Sequence, residues 1–347
     1  MRRIAGLITG ALTAAALLVG CAGTTTAPET TSAAPTPSAT ATTPAERTTI
    51  TLASLKGPTT MGLVKLMSDA EAGKGLQDYQ ATMYATPDEV VPKVVQGQVD
   101  IAMVPSNLAA VLYNKTLTDA GAAVQVAAVN TLGVLELLEA GDTVKTWADL
   151  KGKTIYISGK GASPEYTLNF LLRENGLDPA TDVTVEYKSE PTEVAAVLAA
   201  TPGAVGVLPQ PFATVLTMQT PSVRPALDFT DEWTKVAPDS QLVMGVVIVS
   251  TAFLTEHPQA FADFLTDYQA SVKFTNDDPA AAGELIAAAG IVPKAAIAAK
   301  AIPACNITFV DGAEMKSALD GYLKVLFAAD PASVGGSLPG DDFYVGS

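Results

Sequence analysis

The sequence predicts an α/β protein of two domains, and three observations carry that prediction. Short apolar or alternating runs are separated by amphipathic helical stretches. The pattern restarts from residue 153, and the segment 48–347 is longer than one domain usually is. Strands alternating with helices imply layers packed around a mainly parallel sheet.

The elements follow in chain order. Arg2 and Arg3 precede an uncharged apolar stretch, 4–20, and then Cys21. A positive n-region, an apolar h-region and a small-residue cleavage site make 1–20 a secretion signal peptide. The stretch is too short, and too rich in Ala, Gly and Thr, for a permanent membrane helix. Leu18, Val19 and Gly20 before Cys21 resemble the bacterial lipobox, which implies acylation of Cys21, the palmitate-type modification of a lipoprotein. An ordinary secretory signal with a coincidental cysteine is the alternative. From 22 to 47 Thr, Ala, Pro and Ser dominate. Such a composition cannot bury enough surface to offset its ordering entropy, so 21–47 is expected to be a lipid-anchor cysteine and a disordered tether.

In the body, strands are predicted at 49–54, 79–84 and 99–104, and helices at 60–69, 87–96 and 106–114. Thr86 and Pro87 supply the start of the second helix. The later set has strands at 153–158, 183–187 and 204–208 and helices at 164–175 and 192–199, with Gly176 ending the former. Two loops between strand and helix look alike, Lys56-Gly57-Pro58-Thr59-Thr60 and Lys160-Gly161-Ala162-Ser163-Pro164. Ligands of open α/β sheets bind beyond the carboxyl ends of the strands, where helix N-termini present unpaired N–H groups. On facing lobes, two such loops would put donors on both walls of a cleft. As plain capped turns they would carry the same residues.

Composition narrows the function. The chain is globular in character, with 48% hydrophobic against 16% charged residues over its full length. A formal charge of −15, a pI near 4.4 and the lack of any basic run argue against nucleic acid as a partner. Beyond Cys21 the only cysteine is Cys305, so neither a disulfide framework nor a thiolate cluster is available. One histidine, His257, gives neither a familiar zinc set nor, without a nucleophile elbow, a catalytic triad. No phosphate-cradling loop ends in Gly-Lys-Ser/Thr, and no cofactor or metal is expected. Cys305 reads as a small buried residue, and Asp341 and Asp342 as a solvated loop. Asp231, Glu232 and Trp233 could edge a cleft, although Trp233 suits packing equally well.

Several segments in order then resemble the type II solute-binding proteins, in the branch that includes nitrate, sulfonate, taurine and thiamine-precursor importers. Lys56-Gly57-Pro58-Thr59-Thr60-Met61-Gly62 and Asp100-Ile101-Ala102-Met103-Val104-Pro105-Ser106 look like the family's first-lobe signature. Trp147-Ala148-Asp149-Leu150-Lys151-Gly152-Lys153 looks like the start of its second lobe. Gly206-Val207-Leu208-Pro209-Gln210-Pro211-Phe212 resembles its cleft loop, often written with Glu where this chain has Gln210. His257-Pro258-Gln259-Ala260-Phe261, followed by Phe264, is similar to the helix after the chain returns to the first lobe.

The resemblance implies a two-lobe clam-shell, the type II periplasmic-binding-protein fold, with a discontinuous first lobe. Residues 48–130 plus 250–347 would form lobe 1 and 131–249 lobe 2, with crossings near Asn130-Thr131 and 246–250 that act as a hinge. It implies the solute-binding component of an ABC-type importer. Its partners would be a small-molecule solute and separate permease and ATPase chains, and the lipid would hold a free monomer on the extracytoplasmic face of the membrane. Gly57, Pro58, Thr59, Thr60 and Met61 would form one wall, with Ser106 and Asn107 beside them. Gly161, Ala162, Ser163 and Pro164 would face back, Gln210 and Pro211 would edge the cleft, and Asn130 and Thr131 would reach the solute from the hinge. Gln210, and the lack of Arg on every candidate loop, argue against a tightly held sulfonate or nitrate and for a neutral or weakly polar solute, a heteroaromatic ring among the options, held by amides and hydroxyls. Lys56 and Lys160 read as solvated charges. An enzyme on the same fold, of the pyrimidine-precursor or menaquinone-pathway type, and a solute-sensing receptor subunit are the alternatives. The export signal and the missing nucleophile or metal set count against the enzyme.

Overall fold

The structure is a computed structural model, and it describes residues 47–346. The expected signal peptide, Cys21 and the tether lie outside the described residues, apart from Arg47. Its guanidinium pairs with Asp78 at 2.9 Å and donates to the Gln77 carbonyl at 2.6 Å.

The chain first makes β1 (Thr49–Leu55), α1 (Pro58–Met61), α2 (Val64–Glu71), β2 (Asp78–Tyr84), α3 (Pro87–Val95), β3 (Ile101–Pro105), α4 (Ser106–Thr116) and β4 (Val124–Thr131). A second series is β5 (Leu135–Glu139), β6 (Thr154–Ser158), α5 (Ser163–Glu174), β7 (Thr184–Lys188), α6 (Pro191–Ala200), β8 (Val205–Pro209), α7 (Phe212–Gln219), β9 (Arg224–Asp228) and α8 (Phe229–Val236). The return leg is β10 (Gly245–Ser250), α9 (Thr251–Glu256), α10 (Pro258–Asp277), α11 (Pro279–Ala288), α12 (Ala295–Ala301), β11 (Ile307–Val310) and α13 (Gly312–Ala329).

Two sheets result, each the centre of one α/β lobe. Their strand orders are β11-β4-β10-β3-β1-β2 and β7-β6-β8-β5-β9. Within the first sheet β1, β2 and β3 are parallel, and in the second β6, β7 and β8 are parallel. The expectation of mainly parallel sheets is corrected beyond those trios, because β10 runs antiparallel to both β3 and β4, and β5 antiparallel to both β8 and β9. The cause is the path of the chain. β4 carries it out of the first sheet and β10 brings it back, so the two must run in opposite senses. It re-enters that sheet at Gly245, before the boundary expected at 250.

One predicted helix is two. The stretch 60–69 divides into α1 and α2 around Gly62. A Cβ at Gly62 would stand 3.0 Å from Ile307 Cγ2 and 3.1 Å from Val272 Cγ2, so glycine lets this corner slide beneath α10 without displacing either side chain.

The period of two in the central strands distributes side chains to both faces of the first sheet. Ile101, Met103, Val247 and Val249 face a core with Phe261, Phe264 and Tyr268 of α10. Ala102, Val104, Val246 and Ile248 face the opposite core. That second core does not stop at the lobe. It continues through Tyr322 of α13 into Trp233 of α8 and Phe170 of α5, with ring centroids 5.3 and 4.9 Å apart in turn. Trp233 is 1% exposed and its indole N–H donates to the Ser240 carbonyl at 3.0 Å, so it packs and does not edge a cleft.

Glu139 ends β5 with a fully buried carboxylate. It accepts from the backbone amides of Thr143 and Val144, each at 2.9 Å, and from Arg224 Nη2 at 2.9 Å. Burial alone would raise its pKa. The Thr143 hydroxyl, those amides and Arg224 outweigh it and hold the carboxyl below its ordinary value. A lowered carboxyl contributes stability above its unfolded pKa, about 4.3, and loses it as the pH falls through the folded value. Glu139→Gln should therefore cost about 1–3 kcal/mol near neutrality by leaving buried partners unpaired. Its melting temperature should also fall less steeply with acid than that of the parent, as read by calorimetry across the acid range.

Candidate functional site

Six strand ends converge on one cavity between the lobes. Leu55 ends β1, Ala85 follows β2 and Pro105 ends β3; opposite them Ser158 ends β6, Ser189 follows β7 and Pro209 ends β8, and all six line the cavity. Its volume is about 130 Å³. For scale, an engineered apolar cavity of about 150 Å³ binds benzene. The wall is mostly hydrocarbon, including Val134, Leu135, Ile157, Val207 and Met244. Thr59, Thr131, Ser158 and Ser189 bring hydroxyls, and Lys56 is the single charged residue in it.

Proline gives this wall its character. Pro58, Pro87, Pro164 and Pro191 all line the cavity and each occupies the first turn of the helix that follows a strand, α1, α3, α5 and α6. Proline suits those positions because its fixed φ is already helical and the first-turn N–H has no partner within the helix. It also removes an N–H that would otherwise point at a ligand. Around α3 the start is completed by a capping box in which Thr86 and Glu89 exchange hydrogen bonds.

The candidate residues of the sequence divide into three groups. Pro58, Thr59, Thr131, Ala162 and Pro164 line the cavity. A second group forms a buried seam where the N-termini of α4 and α5 meet. Ser106 Oγ lies 3.1 Å from Ser163 Oγ and donates to the Val243 carbonyl at 2.5 Å. Ser163 Oγ donates to Asn107 Oδ1 at 3.1 Å, and Asn107 Nδ2 donates to the carbonyls of Gly161 and Ser333 at 3.2 and 3.0 Å. Ser106, Asn107 and Ser163 are fully buried here, holding lobe to lobe. The Tyr322 hydroxyl joins them, 3.1 Å from Thr167 Oγ1. Burial raises its pKa despite hydrogen bonds with Thr167, Ser163 and Ser106.

The third group points elsewhere. Thr60 donates to the Leu55 carbonyl at 2.5 Å, and Met61 sits in the core with its Sδ 3.7 Å from Cys305 Sγ. Burial pushes that thiol well up, which suits the small buried residue expected of it. Gln210 turns from the cavity and donates to Glu136 Oε1 at 2.6 Å while accepting from the Thr214 hydroxyl at 2.7 Å. Glu136 itself is raised by burial, with Gln210 pulling the other way. Pro211 is buried outside the cavity lining. Asn130 lies just behind the wall, its Oδ1 accepting from Thr131 Oγ1 at 3.0 Å. His257 is exposed at the start of α10.

Sequence reasoning missed Ala85, Pro87, Ser189 and Pro191. The signal was present, since Pro87 and Pro191 repeat the strand-proline-helix arrangement of Pro58 and Pro164. Lys56, expected to be a solvated charge, is half-buried in the cavity wall, whereas Lys160 is exposed.

Gly57 holds a backbone conformation that favours glycine. Its φ of 141° is one that side chains rarely allow, and a Cβ would stand 3.4 Å from Phe212 Cε2 on the facing lobe. Gly57→Ala should cost about 1–3 kcal/mol in chemical denaturation through backbone strain.

A family model described as "NMT1/THI5 like" matches residues 83–282. No curated protein sequence matches the chain. Among solved structures, an ABC transporter protein from Parabacteroides distasonis is 22% identical with a TM-score of 0.69, covering 85% of this chain and 98% of its own. The alkanesulfonate-binding protein SsuA from Xanthomonas axonopodis pv. citri, bound to MOPS, is 17% identical with a TM-score of 0.66, covering 86% and 97%. A ligand-binding component of an ABC-type import system from Staphylococcus aureus, with zinc bound, is 13% identical with a TM-score of 0.67, covering 86% and 96%. These likenesses establish the two-lobe fold.

Proposed function

The chain belongs to the NMT1/THI5-like family, and from that premise we propose that it is the solute-binding component of an ABC-type importer. The carrying observation is the cavity between the lobes, framed by six strand ends and walled mainly by hydrocarbon. This is where ligands of open α/β sheets bind, and an apolar pocket with a few placed polar groups is the usual form of a small-molecule site. The similar structures named as an alkanesulfonate-binding protein and as a ligand-binding component of an ABC-type import system support the same reading.

Its role is capture, not chemistry. The cavity wall sets a few hydroxyls and one lysine in a mostly hydrocarbon surface, the usual form of a small-molecule binding site. The first lobe, 48–131 plus 245–347, and the second, 132–244, would close on solute by hinge motion about the two crossings. Pro58, Thr59, Thr131, Ala162 and Pro164 would touch the solute, while Ser106, Asn107 and Ser163 would set how closely the lobes meet. An acyl group on Cys21 would hold the monomer on the extracytoplasmic face, where the tether lets it reach permease subunits.

Two experiments test this reading. A solute that binds only the folded protein should add about 2.7 kcal/mol at a hundredfold excess over its dissociation constant. A thermal-shift screen with pyrimidines, vitamins, amino-acid derivatives, sulfonates and simple anions should give such a response. Ala85→Trp, at the exposed rim, should remove it and leave the unliganded stability within about 0.5 kcal/mol of the parent's. Silence across the screen, or a response indifferent to Ala85→Trp, counts against the cleft as a solute site. Separately, Cys21→Ser should move the protein from the membrane fraction to the soluble one. If the distribution is unchanged, the lipid anchor is wrong.

A further inference from the structure

Lys56 is out of keeping with the rest of its wall. It stands immediately after β1, half-buried, and is the only charged residue lining the cavity. The chain carries 36 acidic residues against 21 basic ones, and lysines elsewhere repeatedly find partners, such as Lys65 with Asp69 and Lys151 with Asp182. Among the described residues no carboxylate lies within ion-pair distance of Lys56, and its ammonium has no hydrogen-bond acceptor in the protein. A cation partly withdrawn from water beside hydrocarbon is held at a cost unless an opposite charge accompanies it.

The opposite charge is not supplied by the wall, and neither is any other strong anion donor. Pro58, Pro87, Pro164 and Pro191 remove N–H groups from the helix starts that in other α/β clefts receive an anion. An inorganic oxyanion would therefore meet one lysine and four hydroxyls on a wall that is otherwise hydrocarbon. A cavity of about 130 Å³ bounded by flat proline faces fits a body close to one six-membered ring. The approach is also favourable to anions. A recess that shares Pro87, Gly159 and Ser189 with the cavity carries Lys115, Lys160 and Lys188 beside Asp88, with Lys188 paired to Glu186 at 2.6 Å. In a protein of net charge −15 that local excess of positive charge would draw an anion toward the mouth.

We propose that the solute is a small organic monoanion with a single-ring apolar body, its acidic group paired with Lys56 and its ring among the prolines. This deepens the solute-binding reading and rests on it, and it replaces the neutral solute that the loop sequences suggest. The class includes ring carboxylates and ring sulfonates, which share the same chemistry at Lys56.

The test is calorimetric titration of the ligand-stripped full-length chain with benzoate, cyclohexanecarboxylate and benzenesulfonate, each beside an uncharged counterpart, benzamide, cyclohexanecarboxamide and benzenesulfonamide. Nitrate is the small-anion control. At least one acid should bind tenfold or more tightly than its amide and than nitrate. That preference should vanish in Lys56→Met and survive largely in Lys56→Arg, and the thermal melt of each variant shows that it is folded. Benzoate against benzenesulfonate distinguishes the two acid types. Amides binding as well as acids, nitrate binding best, or acid affinity unchanged in Lys56→Met would each overturn the proposal and leave solute capture standing. No binding of any acid overturns it as well, while a response to an unrelated compound in the wider screen keeps the capture role intact.

Discussion

The seam between α4 and α5 is the constraint on which the site depends. Two helix N-termini meet across the lobes, and their hydroxyls, amide and carbonyls are taken out of water together. Buried polar groups are costly unless each finds a partner, so Ser106, Asn107, Ser163 and Tyr322 must keep a common geometry. Beside them the core runs unbroken from Met315 and Tyr322 of α13 to Trp233 and Phe170 in the other lobe. Hydrocarbon and hydrogen bonds thus agree on one spacing of the walls. The cavity is what that spacing leaves.

From this spacing the chemistry of the site follows. Six strands aim their carboxyl ends at the gap, and the backbone must turn there into helices. Proline in four of those turns settles the local geometry and at the same time withdraws hydrogen-bond donors. A fold whose helix starts commonly offer donors to oxyanions is here lined by rings and methyl groups. Specificity falls to shape, to four hydroxyls and to one ammonium.

Much of the fold was legible in the sequence because its cause is local. Alternation in 99–104 and the restart at 153 reflect strands whose side chains must face two cores, and Thr86 with Pro87 marks a helix start from local geometry alone. The antiparallel β10 was not legible as such. Gly245 to Ser250 reads as an apolar strand, but its direction is decided by where the chain has been. The division of 60–69 was missed for a similar reason. Gly62 looks like an ordinary helix residue until Ile307 and Val272, far along the chain, press against it. At the site, the loops that carry the candidates were visible, but which side of each loop faces the cavity was not. Ser106 and Ser163 suit a ligand and suit each other equally well, and only the packing of α13 behind them decides between the two.

The proline wall also bears on the timing of ordering. A residue whose φ is fixed by its ring has little backbone freedom to lose, in the unfolded chain or in an unliganded cleft. The cost of making this surface rigid is met during folding and not at the moment a solute arrives. Binding to such a wall needs little local rearrangement of the loops themselves, so recognition can be quick and reversible even where the affinity is modest. In the proposed role of solute capture, stiffness in the walls and movement only between them would be a serviceable division of labour.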